Sequence, residues 1–163
     1  MSRAADDSPQ RFIGAEVASS QTVNVYTDNV SKDAAKNALS TNTIHLSAST
    51  LGFSPNVPDE IFFEALASLA SPSIVITADT GRDMKSLMYK YRGRICVITT
   101  SIKGKHQELA FKKLVGHHRF RNYSLYPNRF RRIHLSKSGT NLELTLTKVN
   151  GQLKRKTFKR VFG

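Results

Sequence analysis

The chain has 163 residues, which fits one domain and is too short for two of ordinary size. Hydrophobic residues make up 39% of the composition, enough for a packed core, so a fully disordered chain is excluded. The single cysteine, Cys96, excludes an internal disulfide framework and a zinc site built from cysteines alone. With no apolar run near the roughly 18–20 residues of a membrane span and no signal pattern, we expect a cytoplasmic protein with no membrane partner.

Charge is distributed very unevenly along the chain, whose net charge is +13. Residues 1–80 carry 4 basic and 9 acidic side chains, a net charge of −5, whereas residues 81–163 carry 21 basic and 3 acidic side chains, a net charge of +18. A uniform basic excess would indicate only a polyanion binder. The asymmetry is more informative. The acidic half contains most of the carboxylates that could bind a metal ion, and the basic half contains most of the side chains that could contact phosphates.

The first part of the chain predicts a tail followed by alternating strands and helices. Residues 1–20 are rich in Ser, Ala, Asp and Gln, which predicts a flexible tail. High β-propensity predicts strands over residues 22–28 and 43–48. Between them, a serine suited to capping precedes good helix formers, which predicts a helix over residues 31–39.

The same alternation continues to about residue 115. Pro58 opens a helix with an apolar face that extends to about residue 69. Apolar runs at residues 73–77 and 94–100 predict strands buried on both faces. Short helices are predicted over residues 84–91 and 107–115. Strands that alternate with helices at these spacings indicate an α/β fold with a central, mostly parallel sheet.

The pattern changes near the carboxyl end of the sequence. Residues 142–147 alternate strictly between apolar and polar, and Asn150-Gly151 offers a type I′ turn before a basic second strand at residues 152–161. We therefore predict a basic β-hairpin within residues 136–163, added after the α/β unit.

Five acidic residues fall where one edge of the predicted sheet could gather them. Asp28 ends the first strand, Asp79 and Asp83 follow the third, and Asp59 and Glu60 open the helix between the second and third strands. In parallel α/β sheets, ligands bind beyond the carboxyl ends of the strands. Clustered carboxylates repel unless a cation neutralises them, and Mg²⁺ or Mn²⁺ prefers oxygen ligands. Such a centre can hydrolyse a phosphodiester.

Each of these acids also has a purely structural interpretation. Asp28, Asp79 and Asp83 lie where turns are expected, and Asp favours turns. Asp59 and Glu60 complement a helix macrodipole, which is worth about 0.3–1 kcal/mol each. The prediction of a metal site depends on their joint position, because independent turn residues need not collect at one edge.

Three short motifs resemble PIN-like ribonuclease domains. They are Tyr26-Thr-Asp28-Asn29 at the end of the first strand, Pro58-Asp-Glu60 at the head of a helix, and Val75-Ile-Thr-Ala-Asp79-Thr-Gly-Arg82-Asp83 after the third strand. Their order and spacing most resemble the compact PIN-like group found among prokaryotic toxin–antitoxin proteins. The similarity covers roughly residues 22–100 and extends more faintly to about residue 150.

The resemblance implies a three-layer α/β/α sandwich over residues 21–135 and cleavage of RNA that depends on Mg²⁺ or Mn²⁺. It implies that Asp28 is the metal ligand of the first strand and that Asp79 is the acid after the third strand. Asp59 or Glu60 would be the helix-borne acid, with Glu60 a candidate metal ligand, and Asp83 is a fourth candidate.

The resemblance also implies roles for neighbouring polar residues and for partners. Asn29 and Thr77 would orient metal-bound waters, and Arg82 would hold a phosphate. The implied partners are RNA, an acidic antitoxin protein and a second copy of the chain in a homodimer.

The basic half interleaves positive charge with aromatic rings. Basic side chains contact phosphates, and exposed rings can stack on unpaired bases, although for any single ring the hydrophobic core is the preferred interpretation. The predicted nucleic-acid contacts are Arg82, Lys85, Arg119, Arg121, Arg129, Arg131 and Arg132.

Three functions are compatible with these observations. The first is a metal-dependent endoribonuclease, such as the toxin of a toxin–antitoxin pair. The second is a basic nucleic-acid-binding protein without catalysis, and the third is an interaction protein whose basic face docks an acidic partner. The nuclease hypothesis requires Asp28, Asp79 and the helix-borne acid to lie on the same side of the sheet.

Overall fold

A computed structural model describes residues 21–163, so the predicted tail at residues 1–20 lies outside the described residues. This part of the chain contains seven strands, which form one mixed sheet, and five α-helices. The strands are β1 (Val23–Asp28), β2 (Thr43–Leu46), β3 (Ser73–Thr77), β4 (Ile95–Thr100), β5 (Phe130–Ser138), β6 (Asn141–Lys148) and β7 (Leu153–Phe158). The helices are α1 (Lys32–Ala38), α2 (Asp59–Ala67), α3 (Arg82–Lys90), α4 (His106–Gly116) and α5 (Tyr126–Arg129).

The strand order is β2-β1-β3-β4-β5-β6-β7. The first five strands in this order run parallel, and β5, β6 and β7 continue as an antiparallel meander. The parallel part has the order 2-1-3-4-5, which is common in doubly wound α/β sheets. In such sheets the order in which successive strands are added reverses between β1 and β3, and ligands bind in the crevice outside that point.

Helices cover the parallel part of the sheet on both faces. One face packs against α1 and α4, and its core contains Val25, Ile76 and Phe111. The other, the α2/α3 face, carries Val75 and Val97 against side chains of α2 and α3. Burial from both sides explains why every residue of β3 and β4 is buried. The predicted α/β architecture with a mostly parallel sheet and a final hairpin is therefore confirmed.

Local sequence signals account for most element boundaries up to residue 116. The predicted strands and helices of residues 22–116 agree with the structure to within two residues at each end. Ser31 caps α1, since its Oγ accepts a hydrogen bond from the Ala34 backbone N–H at 3.1 Å. None of the helices in residues 21–163 has the length and apolar character needed to cross a membrane.

The strand β5 was not among the predicted elements. Its buried residues Phe130, Ile133 and Leu135 break strict alternation, because the register shifts between Phe130 and Arg132 and leaves Arg131 in a bulge. Because β5 pairs with both β4 and β6, the final hairpin continues the main sheet and is not a separate addition.

The prediction of a type I′ turn at Asn150-Gly151 is wrong. A type I′ turn needs positive φ at both central residues. Within residues 21–163 the residues other than glycine with positive φ do not include Asn150, whereas Gly151 has φ of 94°. The Gly151 N–H instead donates to the Lys148 carbonyl, and the Lys148 N–H donates to the Gln152 carbonyl. The hairpin therefore closes through Lys148–Gly151, with the glycine in a bulge.

Candidate active site at the carboxyl edge of the sheet

The carboxyl edge of the parallel strands brings together three of the predicted site residues. Asp28 is the last residue of β1 and pairs in register with Thr77, the last residue of β3. Asp79 follows two residues later in the turn that leads into α3, and Asp59 is the first residue of α2. Because β1 and β3 flank the point where the strand order reverses, these residues stand where doubly wound folds bind ligands.

Electrostatic coupling links these three carboxyl groups, which we call the acidic cluster (Asp28, Asp59 and Asp79). Partial burial, followed by the charge of Asp79, raises the pKa of Asp28. Partial burial and the charges of Asp28 and Asp79 raise the pKa of Asp59. The negative charge of Asp79 therefore disfavours ionisation of both Asp28 and Asp59, which makes the three carboxyl groups one electrostatically coupled site.

Tyr26 borders the acidic cluster on the α2/α3 face. Its ring packs against that of Phe62 on α2, with centroids 4.3 Å apart. Burial, then the charges of Asp28 and Asp59, raise the pKa of the Tyr26 hydroxyl, so it stays protonated at neutral pH and can donate. Sequence reasoning missed this residue, although its position two residues before Asp28 in a strand places it on the same face.

Short-range hydrogen bonds orient two of the carboxylates. Asn29, in a left-handed conformation with φ of 59°, places its Nδ2 at 3.5 Å from Oδ2 of Asp28. The Gly81 backbone N–H donates to Oδ1 of Asp79 at 2.9 Å, and the Asp79 N–H donates to Oγ1 of Thr77 at 3.0 Å. The turn interpretation therefore holds for Asp79, whose side chain accepts a hydrogen bond within the turn before α3. Its charge also raises the pKa of Asp28.

The other two predicted acids lie in an adjoining groove. Asp59, Glu60 and Asp83 line a cavity of about 450 Å³ between the first turns of α2 and α3. Asp59 belongs both to this groove and to the acidic cluster. Of the two candidates for the helix-borne acid, Asp59 is thus the one coupled to Asp28 and Asp79.

The donor chemistry of the acidic cluster fits a hard divalent cation, since it consists of carboxylates at a shared edge, of which Asp28 is half-buried and Asp59 and Asp79 are exposed. A closed ligand set is not formed, however. Within residues 21–163, no three His, Cys, Asp or Glu side chains form a group that could hold a metal ion. At this edge the charge of Asp79 raises the pKa of Asp28 and of Asp59, but the three carboxylates do not form a ligand shell.

A second polar network lies further along the same sheet row. The register pairs Asp28 with Thr77, Thr77 with Thr99, and Thr99 with His134. Residues paired across neighbouring strands project to the same face, so this row lies on the α2/α3 face. Thr99 Oγ1 accepts a hydrogen bond from Arg132 Nε at 3.0 Å and lies 2.7 Å from His134 Nδ1. We call these three residues the Thr99 network.

Of the Thr99 network, the sequence predicted only Arg132 as a site residue. Thr99 is the last but one residue of the apolar strand β4, close to the carboxyl edge that Asp28 marks in β1, and this position was the available signal. His134 could not be assigned because β5 had not been predicted. Burial lowers the pKa of Arg132, and burial together with the charge of Arg132 lowers the pKa of His134.

Two of the predicted nucleic-acid contacts are close to the acidic cluster in the chain. Arg82 and Lys85 are exposed on the first turn of α3, immediately after the Asp79 turn. Arg131 extends over the Tyr89 ring of α3, with 5.3 Å between its Cζ and the ring centroid, and donates to the Val149 carbonyl at 2.9 Å.

Three other predicted contacts belong to a different region. Arg121 lines a cavity with residues of α1 and α4 and with Asn42, which precedes β2 at the amino end of the parallel strands. Arg129 donates to the Arg119 carbonyl at 3.1 Å, which ties the segment between α4 and α5 together. The structure thus does not bring Arg121 to the same edge as Asp28.

Most of the aromatic rings in the basic half belong to the core. Buried rings on the α1/α4 face are Phe111, Phe120, Tyr123, Tyr126 and Phe130. Tyr89 differs, because 56% of it is exposed and the Arg92 guanidinium lies 4.0 Å from its ring centroid. The core interpretation holds for the buried rings, whereas Tyr89 is exposed to solvent.

No family model matches the chain, and neither do any curated protein or solved structure.

Proposed function

We propose that the protein is a metal-dependent endoribonuclease that hydrolyses RNA phosphodiester bonds at the acidic cluster, as the PIN-like resemblance implies. The observation that carries the proposal is that the charge of Asp79 raises the pKa of both Asp28 and Asp59 at the point where the strand order reverses. Neighbouring ionised carboxylates repel one another at a cost in stability, which a bound cation relieves.

The proposed metal ligands are Asp28, Asp59 and Asp79, with Glu60 and Asp83 available from the adjoining groove. When bound, Mg²⁺ or Mn²⁺ supplies Lewis-acid stabilisation of a phosphate and a more acidic water. The chain's own residues hold the charge, orient the Asp28 carboxylate through Asn29, and offer the exposed guanidinium of Arg82 to a phosphate.

The basic half supports a polyanionic substrate. Among the described residues, Lys112–Glu108 is the ion pair formed, at 2.8 Å, so most basic side chains there have no carboxylate partner. An RNA backbone would neutralise them, and so would the acidic antitoxin implied by the resemblance. The toxin role, the antitoxin and a homodimer belong to the same proposal.

A second candidate function is RNA binding without catalysis. It is favoured by the hydrogen bond from the Gly81 N–H to Asp79, which gives that carboxylate a structural role, and by the lack of a formed three-ligand group in residues 21–163. In this case the Thr99 network and Arg82 would contact phosphates, and the acidic cluster would have no metal.

Cleavage of a labelled single-stranded RNA, with Mn²⁺ or with EDTA, distinguishes the two functions. We expect cutting that requires Mn²⁺ and falls on the order of 100-fold or more in Asp28→Asn and Asp59→Asn. Glu64→Gln, an exposed acid further along α2, is the matched control and keeps its activity. Tight binding without cutting by the unchanged protein would favour the second function and contradict the first.

A further inference from the structure

The Thr99 network is rich in donors and poor in anionic partners. Arg132 is half-buried and lies on β5, where it pairs in register with Val97 of β4. Its hydrogen-bond partners are Oγ1 of Thr99 and Nδ1 of His134, the latter 3.4 Å from Nη2. No carboxylate in the part of the chain that the structure describes lies within ion-pair distance of this guanidinium. A partly desolvated guanidinium without a carboxylate is costly unless an anion binds.

Hydrogen-bond directions fix how the network is arranged. A guanidinium only donates, so Nδ1 of His134 accepts from Arg132. The Thr99 hydroxyl accepts a hydrogen bond from Arg132 Nε and donates one to the same Nδ1 of His134. The neutral imidazole therefore carries its proton on Nε2. Both His134 Nε2 and the remaining Arg132 N–H groups are donors with no acceptor among these three residues, which is the arrangement an anion needs.

The network lies in line with the acidic cluster. Asp28 and His134 belong to one row of the sheet, three strand spacings or about 14 Å apart. The row continues through Thr145 on β6 to Arg155 on β7, in the antiparallel part of the sheet. Arg155 is exposed there and Thr145 half-exposed. A chain of phosphates that enters the acidic cluster along this row passes over the Thr99 network.

We propose that Arg132 and His134, held in place by Thr99, bind a backbone phosphate of single-stranded RNA beside the acidic cluster. The identity of the ligand as RNA rests on the proposed function, whereas the anion chemistry follows from the donor arrangement. Arg132 supplies the charge and a two-pronged donor, His134 supplies a single neutral donor, and Thr99 is a positioning residue. This site would fix the register of the RNA strand and carry no sequence information of its own.

Fluorescence anisotropy of a labelled single-stranded RNA, measured in EDTA over a range of salt concentrations, tests the site without any cleavage. We expect Arg132→Gln to weaken binding about 10-fold or more and to reduce the salt slope by about 0.7, the value for one phosphate contact. Thr99→Val removes the hydroxyl at nearly constant volume and gives a smaller loss. Lys36→Gln, exposed on α1 over the opposite face of the sheet, is the control and leaves the affinity nearly unchanged.

Equal affinities and salt slopes for Arg132→Gln and Lys36→Gln would overturn the proposal. A polyglutamate peptide that binds as tightly as RNA, with equal sensitivity to Arg132→Gln, would overturn the assignment to RNA. If Arg132→Gln does not fold, Arg132→Lys keeps the charge and loses the Nε donor, and binding at the level of the unchanged protein would then contradict the proposal.

The outcomes also separate this site from the proposed nuclease. If Mn²⁺ never supports cutting but Arg132→Gln still weakens RNA binding, the phosphate site stands and the nuclease does not. If Mn²⁺-dependent cutting is lost in Asp28→Asn but Arg132→Gln leaves the RNA affinity unchanged, the nuclease proposal is supported and the phosphate site is contradicted.

Discussion

Asp28 and Thr77 are the last residues of two neighbouring parallel strands, and they are paired with each other in register. This pairing sets the level at which both strands end. It places Asp79, two residues beyond Thr77, close enough to Asp28 for its charge to raise the pKa of that carboxyl. One register relationship thus converts two acids, 51 positions apart in the sequence, into an electrostatic pair.

Removal of the Asp28 charge should stabilise the metal-free protein. Because the pKa of Asp28 is raised in the folded state, the folded protein holds this proton more tightly than the unfolded chain does. Stability therefore decreases as pH rises from the unfolded-state pKa, about 4, through the folded-state value, and it stays lower above that window. We expect Asp28→Asn to raise Tm at pH 7 in EDTA by a small amount, on the order of 2–4 °C, because the carboxyl is partly solvated.

Melting curves at pH 7 and at about pH 4 check this expectation. The advantage of Asp28→Asn over the unchanged protein should shrink at the lower pH, where the native carboxyl is protonated. Glu64→Gln, which removes a charge exposed on the outside of α2, serves as the control. A lower Tm for Asp28→Asn at pH 7 would instead identify Asp28 as a stabilising turn residue.

The basic residues should not contribute equally to RNA binding. Arg82 and Lys85 follow the acidic cluster directly at the start of α3, whereas Arg121 lies beside Asn42 at the amino end of the strands. We expect Arg82→Gln and Lys85→Gln each to reduce the salt slope of RNA binding by about 0.7, and Arg121→Gln to leave it unchanged. Anisotropy titrations in EDTA measure these slopes, and equal effects at the two ends would point to a diffuse electrostatic surface.

A buried amide joins α1 to the loop before α4. Gln107 accepts a hydrogen bond from the Ser31 N–H at 3.0 Å and donates to the Ile102 carbonyl at 2.9 Å. Gln107→Leu would leave both backbone groups without these partners, at a cost of about 1–3 kcal/mol for each group that stays dry. Asn37→Ala, which removes an exposed contact between α1 and Glu108, should change stability by no more than about 0.5 kcal/mol.

Urea denaturation of both variants gives the comparison. Gln107→Leu should have a clearly lower midpoint with an unchanged m-value, since the surface exposed on unfolding is the same. A midpoint equal to that of Asn37→Ala would show that water replaces the lost amide contacts.

The sequence was sufficient to predict the parallel part of the sheet because its signals there are local. The runs at Ser73–Thr77 and Ile95–Thr100 are continuously apolar, as strands buried on both faces require, and Pro58 and Ser31 mark helix starts. The meeting of Asp28 with Asp79 also followed from sequence, since the carboxyl ends of parallel strands share an edge.

The elements that were missed depend on non-local pairing. In β5 the bulge at Arg131 interrupts the alternation that identifies a strand. The strand is defined by its pairing with β4 on one side and β6 on the other. Without β5, nothing in the sequence placed His134 beside Thr99. The Asn150-Gly151 pair likewise did not determine the turn between β6 and β7. Only Gly151 of the two has positive φ, and it forms a bulge.

Anomalous diffraction from crystals soaked in Mn²⁺ would reveal whether Asp28, Asp59 and Asp79 bind a divalent cation together, as proposed. We expect an anomalous peak at the carboxyl edge between β1 and β3, within about 2.0–2.3 Å of carboxylate oxygens of the cluster, and no peak there in Asp28→Asn crystals. A map with no peak at this edge at saturating Mn²⁺, or a peak that persists unchanged in Asp28→Asn, would contradict this proposal.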